Sequence, residues 1–446
     1  MADLKGIGLQ LIISFITIAT NSIAQNPLVV KQFTADPSAR VFGERVYIYP
    51  SHDIQPVEGK SRPGWFCMED YHVYSSDNLT NWVDHGVIVT QNRVPWVKPD
   101  SYSMWAPDCI ERNGKYYFYF PSIPKDSSIA KGFTIGVAIS DKPEGPFIPQ
   151  GLPIKGVRGI DPNIFIDKDG QGYLYWSQGN IYGAKLKDNM IELASEPVTL
   201  QELPSKGLKE GPYMFERNGI YYLSYPHVEK KTEQLEYAIS NNPLGPFKIV
   251  GAIMDEWSSG CWTNHHSIIN FKGQWYLFYH HNDLSPQFDK NRSVRADSIY
   301  FNADGTMQKV VPTLRGIGLA LATSRIELDR FSSISKSNLS ILFLDTLNKS
   351  DGWKTVFDEP GAWAQFNSVD FSMQKLSKVM LMAKSSKGGS LKIMVGEVVV
   401  AYVTIPKSDS FKLVKASVVK TVSGIKNLHV QMQSGERIEV DWLSFE

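Results

Sequence analysis

One pattern recurs five times in this chain: a polar or acidic group, about ten residues, a glycine turn and a short aromatic strand. It reads TADPSARVFGERVYIY from Thr34, MWAPDCIERNGKYYFYF from Met104 and GIDPNIFIDKDGQGYLYW from Gly159. It returns as LKEGPYMFERNGIYYLSY from Leu208 and WTNHHSIINFKGQWYLFY from Trp262. The strand tyrosines Tyr47, Tyr117, Tyr173, Tyr222 and Tyr276 are spaced by 70, 56, 49 and 54 residues (117−47, 173−117, 222−173, 276−222). A second element follows the aromatic strand, as VAISDKPEGPFIPQG from Val137 and YAISNNPLGPFKIVG from Tyr237, each reading as strand, turn, strand. VYSSDNLTNWVDHG from Val73 is a relative; it lacks the glycine of an Asp-box and reads as a turn between outer strands. Repeats of this length with four-strand content and no long helical periodicity predict a β-propeller rather than a solenoid. Five units give five blades over residues 25–323.

In a propeller the innermost strands surround one axis, so residues at one fixed place in successive repeats converge. Eleven or twelve residues before four of the five tyrosines stand Asp36, Asp161, Glu210 and His265. Asp before Pro is a common turn former, but two Asp-Pro pairs in register with Glu210-Gly211-Pro212 predict a shared pocket of three carboxylates. Acetal hydrolysis needs one acid to protonate the leaving oxygen and one base to activate water. In inverting enzymes the two stand about 6.5–9.5 Å apart. One carboxyl must stay protonated near neutrality, through burial or a neighbouring negative charge, and a third acid can supply the latter.

After about Ser324 the repeat stops, Lys and Ser rise, and alternating segments such as LKIMVGEVVVAYVTI and IEVDWLSFE read as strands. The expected fold is therefore all-β: a five-bladed β-propeller followed by a β-sandwich, a jelly roll, over residues 324–446. The first 24 residues read as a signal peptide, with Lys5, an apolar run from Ile7 to Ala19 and a small-x-small Ser22-Ile23-Ala24 before the cut. A periplasmic or secreted protein is expected, and the run is too short for a permanent membrane span. Lys plus Arg and Asp plus Glu are each 46, with no basic block, which argues against a nucleic-acid partner. Aromatics at 12 % suit both strands and sugar stacking. Cys67, Cys109 and Cys261 lie far apart and read as buried thiols, with one disulfide as the alternative.

Residues from about Pro27 to Arg315 resemble glycoside hydrolase family 43. The resemblance rests on ADP at Asp36, WAPD from Trp105 to Asp108, IDPNIFID, KEGPYMF, NHHSII and RSVRADSIYFNADGT. It implies a five-bladed propeller acting on xylans, arabinans and related plant polysaccharides by single-step inversion. It implies Asp36 as general base, Glu210 as general acid and Asp161 as the acid that tunes and orients Glu210. His265 matches a histidine that ligates calcium or its waters, and Arg292 matches a substrate-contacting arginine, with Arg295 as its rival, read as a solvated charge. Trp105 is expected to wall the first subsite. Trp65 and Phe66, in the long insertion between Tyr49 and Asp77, are expected at the pocket edge.

From about Arg325 the tail resembles carbohydrate-binding module family 6, on IELDRFS and VDWLSFE. There Glu327, Asp329 and Asp441 are candidate ligands of a structural calcium. The tail departs from that pattern at the sugar site: SDSFKLVK holds no Trp, and Glu439 stands where an asparagine is usual. The partner is thus an oligo- or polysaccharide, no cofactor is required for the chemistry, and calcium is a candidate ion. The favoured reading is an exported β-xylosidase or α-L-arabinofuranosidase. Open beside it stand an arabinanase or xylanase of the same fold and a catalytically silent sugar-binding surface protein.

Overall fold

The computed structural model describes residues 26–256, 260–347, 353–372 and 375–446; the expected signal peptide lies outside them. These residues form strands and one three-residue 3-10 turn, with no α-helix. No helix among them is long and apolar enough to cross a membrane.

Five antiparallel sheets follow one another along the chain, each in simple sequential order. The first blade comprises β1 (Ala35–Phe42), β2 (Arg45–Asp53), β3 (Met68–Ser76) and β4 (Val83–Thr90). Its neighbours begin with inner strands Asp108–Arg112, Ile160–Ile166, Tyr213–Arg217 and Ser267–Phe271. Each inner strand turns back at a glycine or lysine with positive φ (Gly43, Gly114, Gly170, Gly219, Lys272 and Gly273) into the aromatic strand. The turn signals of the sequence therefore mark the first hairpin of every blade. The turn at Asp77–Trp82 joins β3 to β4, as expected of outer strands, with Ser76 Oγ accepting from Leu79 N–H at 2.8 Å.

Alternate residues of each strand pack on the blades to either side, so apolar clusters lie between blades rather than within them. Tyr49, Tyr71, Phe118 and Trp96 fill the space between the first two blades. Val46, Ile48, Phe278 and Val294 fill that between the first and last. The ring closes where the chain begins. Leu28 N–H donates to Val294 O at 2.8 Å, and the Asn26 amide donates to Ala296 O and Thr313 O. Ser267 of the last blade bonds both Pro37 O and Ala39 N–H of the first.

The tail is a sandwich of two six-stranded sheets. One core, including Val379, Leu381 and Leu443 from one sheet and Phe366, Ile393 and Val430 from the other, fills the space between them. Its opening and closing segments pair, Ile326 opposite Leu443. The sandwich already begins with Ala320–Leu321, paired parallel to Trp363–Asp370. The two parts touch directly: Thr80 Oγ donates to Leu319 O at 3.0 Å and Arg330 to Asn26 O at 3.0 Å. All three cysteines are buried free thiols, so the disulfide alternative is not realised.

Candidate active site

The repeat's register delivers its acids through backbone conformation. Asp36 and Asp161 both sit at the start of an inner strand with φ of 46° and 58°, in the left-handed region where Asp is among the few tolerated side chains. Pairing is irregular at both places, between Ala35 and Ser38 and opposite Tyr175–Ser177. Such bulges re-aim a side chain, and local strain of this kind gathers at functional sites. Here they turn both carboxylates into one axial pocket of about 370 Å³, which Glu210 and His265 also line. All four residues that the register picked out are thus brought together.

Asp36 is gripped by Arg292. The guanidinium donates to Asp36 Oδ1 at 2.8 Å and Oδ2 at 3.1 Å, and its other edge to Asp53 at 2.9 Å twice. Ser51 Oγ–H adds a bond to Asp36 at 2.7 Å, and Asp36 N–H donates to His280 Nδ1 at 3.0 Å. Burial alone would raise the Asp36 pKa, but Arg292, His280 and His265 together hold it below the usual carboxylate value. Asp36 is therefore the ionised member.

Glu210 is the opposite case. Burial raises its pKa well above the ordinary glutamate value, and the facing Glu233 carboxyl and Asp36 add to the rise. Glu233, buried at the start of the third strand of the fourth blade, is itself raised to about 7, by burial above all. Its Oε2 accepts from Asn264 N–H at 2.7 Å, while Oε1 has no donor among the described groups unless Glu210 carries a proton. Asp161, with Ser177 Oγ–H and Gly211 N–H each at 3.0 Å on Oδ2, is raised to about 7 by burial, with Glu210 adding to the rise. Gly211 is required there: a Cβ would meet Pro226 Cδ at 2.9 Å and His265 Nδ1 at 3.0 Å. Two groups whose environments push their proton affinities apart are the mark of an acid and a base in one site.

The walls are aromatic. Trp65, Phe66 and Trp105 all line the pocket, with Phe66 5.9 Å from Trp105 and stacked on the Arg292 guanidinium at 4.9 Å. The insertion is shorter than the sequence suggested: Ser51, His52 and Asp53 still belong to β2 and Met68 opens β3, leaving residues 54–67 as the loop. Arg295, expected as a solvated charge, is instead buried, donating to Asp283 and to Thr313 O. Arg292 is the arginine of the pocket. His266 turns to Ser224 Oγ at 2.6 Å, away from His265 as strand alternation requires.

Sequence reasoning missed Glu233, Asp53, Ser51 and His280, none of which stands at the repeated register. It also left the second blade's acid without a role. Asp108 pins the axis, accepting from Arg40 on one side and from Asn163 Nδ2 (3.0 Å) and Ile164 N–H (2.7 Å) on the other.

Metal expectations divide. His265 lines the axial pocket beside the carboxyls of Asp36 and Asp161, an oxygen-rich setting of the kind that calcium and its waters take, so the axis fits such an ion. In the tail, by contrast, Arg325 ion-pairs with Glu327 at 2.6 Å and Asp441 at 3.1 Å, and Asp329 pairs with Arg330 at 3.2 Å. Fixed guanidinium charge takes the place expected of calcium, and these three acids do not gather their oxygens as one ligand set among the described residues.

A propeller whose axial pocket pairs a depressed carboxylate with a raised one, behind aromatic walls, defines a carbohydrate-cleaving class of enzyme. The family model described as Glycosyl hydrolases family 43 matches residues 24–307, and the chain belongs to that family. It is 37 % identical over 330 residues to xylosidase/arabinosidase 43A of Humicola insolens, covering 63 % of this chain and 97 % of that one. It is 36 % identical over 323 residues to a xylosidase/arabinosidase of Bacteroides ovatus, covering 62 % and 95 %. Among solved structures, a β-xylosidase/α-arabinofuranosidase of the family from a compost metagenome, crystallised with xylotriose in a calcium-free form, superposes with TM-score 0.58. It shows 35 % identity and covers 65 % of this chain and 98 % of that one. An arabinoxylan arabinofuranohydrolase from Bacillus subtilis shares the fold over 95 % of this chain and 99 % of its own, at 23 % identity and TM-score 0.55, so the likeness extends through the sandwich. The chain is a glycosidase.

Proposed function

We propose that this glycosidase is an inverting β-xylosidase or α-L-arabinofuranosidase that removes terminal pentoses from plant cell-wall glycans, exported to the periplasm or the outside. The observation that carries the reading is the split in proton affinity, Asp36 held ionised by the Arg292 fork and Glu210 held protonated by burial against Glu233. Asp36 takes a proton from a water on one face of the sugar ring as that water attacks the anomeric carbon. Glu210 delivers its proton to the departing glycosidic oxygen on the other face. Asp161 orients Glu210 through the Gly211 N–H contact, and the crowding of the two carboxyls helps keep Glu210 protonated. Arg292, anchored on Asp53, holds the base in place. A calcium ion bound near His265 on the axis would add positive field to the pocket; the acid and base steps belong to the carboxyls alone. About 370 Å³ lies at the small end of ligand pockets, which favours trimming of chain ends over gripping a long polymer.

The sandwich resembles a carbohydrate-binding module, and we read it as a packed accessory lobe. Glu439, at the usual sugar-site position, is closed off by Lys354 at 2.9 Å and Lys384 at 3.3 Å. Hydrolysis of para-nitrophenyl β-D-xyloside and α-L-arabinofuranoside by wild type and by Asp36→Ala tests the reading. Release by wild type alone supports it. Equal release by the variant, or release from neither substrate but from internal bonds of arabinan or xylan, would overturn it.

A further inference from the structure

Ser51 and Asp53 of β2 serve the sugar pocket, one bonding Asp36 and the other Arg292. His52, between them, turns the other way. Its Nδ1 lies 2.7 Å from Asp70 of β3, and its ring meets that of His72, also on β3, at 5.1 Å. His72 Nδ1 in turn contacts Asp84 of β4 at 3.0 Å, and its ring lies parallel to Tyr74 at 6.1 Å. One potential ligand atom from each of His52, Asp70 and His72 falls within 4.8 Å of the other two. None of the three lines the sugar pocket.

We propose that His52, Asp70 and His72 form a second site, a binding site for a divalent transition metal of the zinc class on the first blade. Two imidazoles and one carboxylate with a position left for water are a donor set that zinc accepts, whereas calcium and magnesium prefer all-oxygen shells. Strand pairing places the three donors on adjacent strands. Partial burial restrains them: their side chains are 13–18 % exposed, against 44 % for Asp84. The Asp84 contact fixes the His72 ring and leaves its Nε2 to ligate, the usual outer-sphere arrangement of a metal-bound histidine. The Asp84 carboxylate is itself held by Gly86 N–H at 2.8 Å. Adjustments of about 1 Å bring the ligand atoms to a tetrahedral set, the ion replacing the proton shared between His52 and Asp70. Because β2 also carries Ser51 and Asp53, an ion here ties the strand that supports the catalytic base to its neighbour.

The test is calorimetric titration of the untagged, chelator-treated full chain with zinc chloride, with calcium chloride as control, on wild type, His72→Ala and Asp84→Asn. One zinc per chain is expected for wild type. Affinity should be lost in His72→Ala and weakened about 10–100-fold in Asp84→Asn, with circular dichroism unchanged in both. No zinc uptake by wild type, or uptake by His72→Ala as tight as wild type, would overturn the assignment. If the alanine variant fails to fold, His72→Gln serves in its place under the same two criteria.

Discussion

Replacing Asp161 by Asn isolates the energetic cost of crowding acids on the axis. Asparagine tolerates the 58° φ and keeps an oxygen to accept from Ser177 Oγ–H and Gly211 N–H. In the folded protein Asp161 titrates at about 7 against an ordinary 3.8, a rise of about 3 units. A carboxyl raised in the folded state binds its proton more tightly there than in the unfolded chain. Stability is therefore lost as pH climbs from the unfolded to the folded pKa. For one such group the loss is under about 1 kcal/mol at pH 4 and about 4 kcal/mol at pH 8. Glu210 and Glu233 titrate together with it, which spreads the transition and brings the expected pH-dependent part to about 2–4 kcal/mol. Urea unfolding of wild type and Asp161→Asn at pH 4, 6 and 8 reads this directly. The variant should gain on the wild type progressively with pH while losing turnover. A stability difference that does not change between pH 4 and pH 8 would refute the claim that the surroundings of Asp161 raise its proton affinity.

The remaining expectations concern the other pocket groups. Arg292→Lys removes the fork that depresses Asp36, so the acidic limb of kcat/KM should move to higher pH, with turnover down about 100-fold from misplacement of the base; an unmoved limb would contradict the role. Glu210→Ala should abolish turnover of unactivated xylo-oligosaccharides, a loss of about 10²–10⁴-fold, yet spare aryl glycosides with good leaving groups, and equal loss on both would count against Glu210 as the acid. Trp105→Ala should raise KM by about 10-fold, from loss of a sugar-stacking face worth about 1–1.5 kcal/mol, with kcat changed far less, as initial-rate kinetics will show. Trp353→Ala should leave retention on insoluble xylan unchanged if the sandwich is an accessory lobe, and a loss of retention would assign it a sugar site after all.

The blades were legible because turn glycines and strand aromatics recur with a period, and periodicity survives without any knowledge of packing. The three axial acids were legible for the same reason: one register, one axis. Glu233 escaped because it stands outside the repeated register, and only the fold of the fourth blade brings the start of its third strand against Glu210. Asp53 escaped because SHD looked like the opening of a loop; the strand in fact runs three residues further and delivers Ser51 and Asp53 to Asp36 and Arg292. In the tail, the paired opening and closing segments were legible, but Glu327, Asp329 and Asp441 were read as calcium ligands and are not. Arg325, adjacent in sequence to that opening, supplies the positive charge to Glu327 and Asp441, and Arg330 supplies it to Asp329. Side-chain pairing across distant strands has no period and leaves no such trace in one sequence.

The central claim is that Asp36 and Glu210 act on opposite faces of the sugar in a single displacement. Proton NMR of the first sugar released from an aryl β-D-xyloside or α-L-arabinofuranoside, taken before mutarotation, tests it directly. The account expects the inverted anomer to appear first from wild type and no release from Asp36→Ala. First appearance of the retained anomer would mean a covalent intermediate and would contradict it.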